Sequence, residues 1–344
     1  MSARPTTATA RSRAAASNPP RRTRRFGAAT TVLLAVGLAL AACSSPGGAS
    51  DLGLLPTAEP TAAPTSAPTT APTPAVCDQP TASYAPDAAL PAPDALPAGS
   101  TMQAIRDRGV LVVGVSSDTL LMGSRNPLTG VIEGFDIDMA RQVAAAILGD
   151  PDKVQFRVIT AGQRIGVLTG HEVDLVARAF TVNCARWEQI AFSAEYYHAG
   201  QKVLVTSDST ATGLADLAGK KVCAPAGTTT LTRLEQYPDI EAVPAGTHTA
   251  CLALFQQGAV DAITGDDTVL AGLAAQDPYA KVVGEAISDE PYGLGIPPGQ
   301  VDMVRFVNAV LEQVKADGRW QASYDRWLGV LGPAPTPPTP VYGR

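Results

Sequence analysis

The chain has 344 residues, a formal net charge of −6 and 45% hydrophobic content, which suits one or two globular domains. It is too acidic for a nucleic-acid binder, whose phosphate contacts demand clustered Lys and Arg. No apolar run is long enough to span a bilayer, and three scattered histidines with no CxxC argue against a metal site.

Residues 1–42 read as an export signal. Arg21, Arg22, Arg24 and Arg25 form a basic region, Thr31 to Ala42 is an apolar segment too short to cross a membrane, and Leu40-Ala41-Ala42 leads to Cys43. This arrangement resembles a bacterial lipoprotein signal, in which a diacylglycerol joins the cysteine thiol and cleavage makes that cysteine the new N-terminus. The resemblance implies a chain lipidated on Cys43 and anchored at the extracellular face of the cell membrane. Arg24-Arg25 hints at twin-arginine export, but the residues after it fit general secretion better. Residues 1–42 hold seven arginines and no acid, so their removal moves the formal charge from −6 to −13. An anionic ligand would then be held by local arginines rather than by the overall field.

Residues 43–100 are rich in Ala, Pro, Thr and Ser. They have too few large apolar groups to offset the entropy of ordering, and proline stiffens them, so a semi-rigid stalk is expected. Residues 331–344 form a similar Pro-rich tail. Between them lie about 230 residues in which strand and helix patterns alternate. Val110–Val115 is a β-branched run that suits a buried strand. Phe135–Leu148 carries apolar residues at helical spacing and ends near Gly149. Val154–Ile159 and Val173–Ala177 read as strands, with Ile165–Leu168 in a helix between them. Lys202–Thr206, Lys221–Ala224 and Tyr292–Ile296 read as further strands, and Val301 to about Trp327 as a final helical stretch.

Lipidation of Cys43 would leave Cys77, Cys184, Cys223 and Cys251, an even set for an oxidising compartment. Four cysteines allow three connectivities, and sequence alone does not choose among them. The favoured pairs are Cys223–Cys251, within one candidate lobe, and Cys77–Cys184, which would pin the end of the stalk to the other.

Several motifs then stand in order. Gly134-Phe135-Asp136-Ile137-Asp138 opens a helix; Gln163-Arg164-Ile165 precedes Val173-Asp174-Leu175; Thr181 stands five residues before Arg186. Phe192-Ser193 with Tyr196-Tyr197, Leu217-Ala218-Gly219-Lys220 with Gly227-Thr228-Thr229, Asp261-Ala262 with Asp266, and Gly318-Arg319-Trp320 with Tyr324 and Trp327 follow. From about Val110 to Gly329 this resembles the extracellular solute-binding proteins for polar amino acids (family 3), with the glutamine/glutamate-binding lipoproteins of high-GC Gram-positive bacteria nearest in character. The resemblance implies an α/β, two-lobed periplasmic-binding-protein-like fold, with a ligand cleft between lobes and a two-strand hinge near Val205 and Tyr292. Residues 101–207 and 290–330 would form the first lobe and 208–289 the second. It implies no enzymatic activity and no cofactor. The partner would be an ABC permease, or alternatively a membrane signalling protein that senses the ligand state.

A free amino acid offers a carboxylate and an ammonium, so its receptor needs a fixed cation, a fixed anion and oriented dipoles. Arg186 supplies a planar fork for the α-carboxylate, as the matching arginine does in the family. Thr181 lies beyond the strand Val173–Ala177, where open α/β sheets place ligands. The carbonyl of Ala179 matches an acceptor for the ammonium, and Asp266 its counter-ion, with Asp267 a neighbouring alternative. Thr228 and Thr229 open a helix after Gly227, so they offer either N–H groups to an anion or an ordinary cap. Ser116 keeps a pocket position but can only hydrogen-bond. Arg178 stands where amide binders tend to be small or apolar. Either it faces a ligand's second carboxylate or it makes an outward salt bridge. In the first case glutamate or aspartate binds at least as well as the amides, and lysine and arginine are excluded.

Overall fold

A computed structural model describes residues 77–87 and 89–344. The expected signal segment, lipidation site Cys43 and stalk before Cys77 lie outside these residues.

The first lobe is built on a five-stranded sheet in the order Val154–Val158, Leu111–Val115, Leu175–Ala177, Gly295–Ile296, Ala191–Phe192. The first three strands run parallel, and the last two join antiparallel. The run Leu111–Val115 is apolar along its length because helices cover the sheet on both faces. One cover is the helix Phe135–Leu148, which buries Phe135, Ile137, Met139, Val143 and Ile147 and stops at Gly149 with φ 72°. Its start depends on Gly134, at φ 142°, where a Cβ would lie 2.4 Å from the carbonyl of Met122.

The second lobe carries the sheet Glu241–Ala245, Lys221–Pro225, Ala262–Asp266, Tyr197–Thr206, Ala280–Val283, again with an apolar cluster on each face. Its long strand Tyr197–Thr206 begins against Asp289–Tyr292 and ends between Ala262–Asp266 and Ala280–Val283. Three expectations change here. Lys202–Thr206 was grouped with the first lobe but pairs into the second sheet. Val205 sits opposite Lys281 inside that sheet, so the two-strand connection is Tyr197–Gly200 against Asp289–Tyr292. The single strand expected over Tyr292–Ile296 breaks at Gly293-Leu294. There the Gly293 N–H donates to Phe180 O and the Leu294 N–H to Ser193 Oγ instead of to a ladder.

The final helical stretch likewise divides into Val301–Ala316 and Arg319–Trp327, because Gly318 turns left-handed at φ 86°. In the second helix, Ser323 Oγ and Trp327 Nε1 both donate to Asp138 Oδ2 at 2.7 Å. Trp320 Nε1 donates to Tyr196 O at 2.7 Å. Trp320 also packs edge-on against Phe135, which in turn meets Tyr196 and Tyr197. The C-terminal motif therefore fixes the root of the connection.

Both disulfides form: Cys223–Cys251 ties a strand to its covering helix, and Cys77–Cys184 ties the chain's entry to the first lobe. From Cys77 the chain is not a free stalk. Ser83 is buried, donates to Phe192 O at 2.9 Å and accepts from Asn308 Nδ2 at 3.0 Å. The tail runs back alongside it, with Ser83 N–H donating to Val341 O and the Arg344 guanidinium 4.0 Å from the Trp187 ring centre. A proline-rich segment needs few backbone donors, so it can lie extended against a folded surface.

Candidate functional site

The ends of the first sheet's parallel strands face the second lobe, which is where open α/β sheets leave a crevice. Between the lobes is a narrow, nearly closed cleft with room of about 20 Å³. It is lined from the first lobe by Ser116, Thr119, Asp136, Ala161, Arg164, Arg178, Ala179 and Thr181. Thr228, Thr229, Thr230, His248, Asp266 and Val269 line it from the second. Seven of the eight anticipated ligand residues therefore surround one cleft, and Arg186 stands behind Thr181, donating from Nη1 to its carbonyl.

Three buried arginines dominate the first-lobe wall. Arg164 and Arg186 both lie over Phe180, at 4.5 and 5.0 Å from the ring centre, an arrangement in which ring quadrupole and cation attract. Arg164 donates to the carbonyls of Ala161, Arg178 and Ala179, and across the cleft to Gly227 O at 3.1 Å. Burial and the neighbouring Arg186 and Arg178 hold its pKa well below the usual value. Arg186 is lowered to about 10 by burial, with Glu290 and Asp266 opposing the shift. Arg178 does not face outward: it is 7% exposed, and its Nε donates to Ile159 O at 2.9 Å.

Asp136 opens the helix Phe135–Leu148 and accepts from Ala179 N–H at 2.7 Å and from Tyr196 OH. Burial pushes its carboxyl up to about 6, offset by those donors. The grip on its N–H keeps Ala179 at φ 39°, an uncommon conformation for a residue with a Cβ. The Ala179 carbonyl, expected to meet a ligand ammonium, accepts from Arg164 Nη1 at 2.8 Å and keeps a second lone pair.

On the second-lobe wall, Asp266 ends the strand Ala262–Asp266. Its Oδ2 accepts from Tyr292 OH at 2.6 Å, while Oδ1 is buried with no partner. Burial and the nearby Glu290 raise its pKa to about 7. Asp267 does not line the cleft and spends a side-chain oxygen on Thr268 N–H. Thr228 is a cap: its hydroxyl accepts from Leu231 N–H at 3.1 Å. Ser116 Oγ is spent on Asp118 Oδ1 and Thr119 Oγ1, at 2.9 and 2.8 Å.

Four residues at the site were not singled out on sequence. Arg164 and Asp136 stood inside quoted motifs, Arg164 as a charge beside apolar residues and Asp136 as one of two acids in the first turn of a helix. Glu290, 2% exposed, joins the connection to both walls by accepting from Thr181 Oγ1 at 2.7 Å and Thr229 Oγ1 at 2.6 Å. His248, the first residue of the helix His248–Gln256, carries a buried Nε2 with no partner.

Two interlocked α/β lobes with a charged crevice, crossed by two antiparallel strands, define a binding device with fixed cations and anions. A family model for bacterial extracellular solute-binding proteins, family 3, matches residues 111–330, and the chain belongs to that family. It is a solute-binding receptor, not an enzyme. It is similar to the ABC transporter glutamine-binding protein GlnH of Bacillus subtilis, at 35% identity over 230 residues, 66% of this chain and 84% of that protein. The glutamate-binding protein GluB of Corynebacterium efficiens is 30% identical over 246 residues, 67% of this chain and 83% of that protein. Among solved structures, the solute receptor for L-cysteine of Neisseria gonorrhoeae superposes with a TM-score of 0.65 at 27% identity, covering 68% of this chain and 96% of that one. No helix among the described residues is long and apolar enough to cross a membrane.

Proposed function

We propose that the chain is a membrane-tethered receptor, lipidated on Cys43. It closes its lobes around an amino acid of the glutamate, glutamine, aspartate and asparagine class and delivers it to an ABC permease. One observation carries this reading: Asp266, whose Oδ1 is buried without a partner, lines the same crevice as Thr181 and Thr229, with Arg186 held behind Thr181. An α-ammonium matches the first, and an α-carboxylate matches the Arg186 guanidinium. The relatives named for glutamine and glutamate support the class. Arg178 in the wall disfavours lysine and arginine, because a second buried cation beside it has nothing to offset its desolvation.

Closure occurs about Tyr197–Gly200 and Asp289–Tyr292, and a ligand that touches both walls favours the closed form. Calorimetric titration with the twenty common amino acids tests the proposal. Saturable binding of the acids or amides, with lysine and arginine inert, is expected. Tightest binding of lysine, or no binding of any amino acid, overturns it.

A further inference from the structure

Arg186 sits on a helix too short to hold itself. Cys184–Trp187 is a single turn of four residues, and one turn's hydrogen bonding does not offset the entropy of fixing it. Asn183 caps its start by accepting from Arg186 N–H at 3.0 Å. Its outer side is held by segments that lie outside residues 111–330, the span shared with the family. Cys184 is bonded to Cys77. Trp187 Nε1 donates to Pro80 O at 2.8 Å, and the Tyr84 ring meets Trp187 edge-on at 6.4 Å. Arg344 covers the Trp187 ring at 4.0 Å and donates to Ala82 O, which closes the clamp onto the entry segment.

From Trp187 the contacts continue inward. Its ring stands edge-on to Phe192 at 5.6 Å, and Phe192 edge-on to Phe180 at 4.9 Å. Phe180 is the ring beneath the Arg186 guanidinium. Arg186 is thus set twice from the same clamp, in its backbone through Cys184 and at its charged end through three rings. Close-packed side chains pass a displacement on rather than absorb it.

We propose that Cys77, Pro80 and Trp187 position Arg186 for the ligand's α-carboxylate, so that the segment leading into the family core is part of the binding machinery. The inference rests on the receptor reading above. None of the three lines the cleft, so their role is positioning. A two-pronged contact between guanidinium and carboxylate is demanding in angle as well as distance. With the clamp in place the turn keeps one orientation. Without it the guanidinium spends part of its time out of line with the carboxylate, and affinity falls although Arg186 is still present.

A double-mutant cycle separates this from a general loss of stability. Calorimetry of the full chain with L-glutamine and L-glutamate is run on two changes: Cys77→Ala together with Cys184→Ala, and Trp187→Phe. The second keeps a ring and deletes only the donor to Pro80, so it carries the cycle if the cysteine variant does not fold. Each change is measured in the parent and in Arg186→Lys, which keeps the charge and loses the fork. In the parent, the cysteine pair should weaken binding about tenfold and Trp187→Phe about threefold. In Arg186→Lys each should cost less than about twofold. Equal losses in both backgrounds overturn the inference, because the clamp then acts on the lobe as a whole. Unchanged affinity in both parent-background variants overturns it as well, and leaves the receptor reading standing. Failure of both amino acids to bind the unmodified chain overturns the receptor reading and this inference with it.

Discussion

Thr229 of the second lobe donates a 2.6 Å hydrogen bond to Glu290 Oε2, the oxygen that also accepts from Thr181 of the first lobe. One carboxylate on the connection thus fastens both walls of the cleft, and Ser288 Oγ steadies its other oxygen at 2.8 Å. Bonds to a charged acceptor contribute about 1.5–3 kcal/mol each. Glu290→Ala should release the closed arrangement, raising the radius of gyration of dialysed protein in small-angle scattering. Ligand affinity should fall by about tenfold or more. An unchanged scattering profile together with unchanged affinity would show that Glu290 is only packing.

Arg186 and Asp266 are expected to hold the ligand's α-groups. Removing either leaves a ligand charge unpaired in a dehydrated crevice, at a cost of about 2–5 kcal/mol of binding. Arg186→Ala and Asp266→Ala should each weaken binding by roughly thirty-fold to several thousand-fold, with circular dichroism and melting temperature near those of the parent. Wild-type affinity in either folded variant removes that residue from the site.

The elevated pKa of Asp266, about 7, gives glutamine binding a pH dependence with a definite sign. The ligand ammonium pairs with the ionised carboxylate, and below pH 7 a growing fraction of empty sites is protonated. Glutamine affinity should hold above about pH 8 and fall toward tenfold per unit below pH 7. Asp266→Asn should bind weakly and lose this slope. A glutamine affinity that is flat from pH 8 to 5.5 in the unmodified chain contradicts the role given to Asp266.

The Cys223–Cys251 bond closes a loop of 28 residues between a strand and its covering helix. On the chain-entropy account such a loop contributes roughly 3–4 kcal/mol. Replacing both cysteines with alanine should lower the melting temperature by several degrees or more. Peptide mapping without reduction should recover this pair and Cys77–Cys184. Four alkylatable thiols on native protein would refute the pairing.

Anchoring is testable through Cys43 alone. Cys43→Ala should no longer incorporate labelled palmitate and should leave the membrane fraction. Persistent labelling would place the anchor elsewhere.

The sequence resolved those features that local chemistry determines. Phe135–Leu148 could be bounded at both ends, because a glycine is required before it and another stops it after an unbroken apolar spacing. The parallel strands were legible as apolar runs for the same reason that they are buried. The connection was not. Asp289-Glu290-Pro291 is polar and contains a proline, so it reads as a loop, yet it pairs with Tyr197–Gly200 and carries a buried carboxylate. His248 was equally hidden, since an orphan nitrogen exists only once Gly265 and Arg178 are brought around it. The packed segment from Cys77 to Ser100 was obscured by composition, because a few scattered apolar groups such as Tyr84 and Leu96, the buried Ser83, main-chain groups and a tail more than two hundred residues away make its contacts.

The entry at Cys77 and the exit at Arg344 meet on the first lobe beside Trp187, where Arg344 also reaches Ala82 O at 2.7 Å. Tension arriving from the chain before Cys77 passes through a covalent bond to Cys184. It reaches the first lobe without crossing Tyr197–Gly200 or Asp289–Tyr292. The second lobe can swing while the first is loaded, like a jaw whose fixed half alone is bolted down. Were the proposed anchor on Cys43 to carry load, the pull would displace the first lobe and leave the jaw free to close on its ligand.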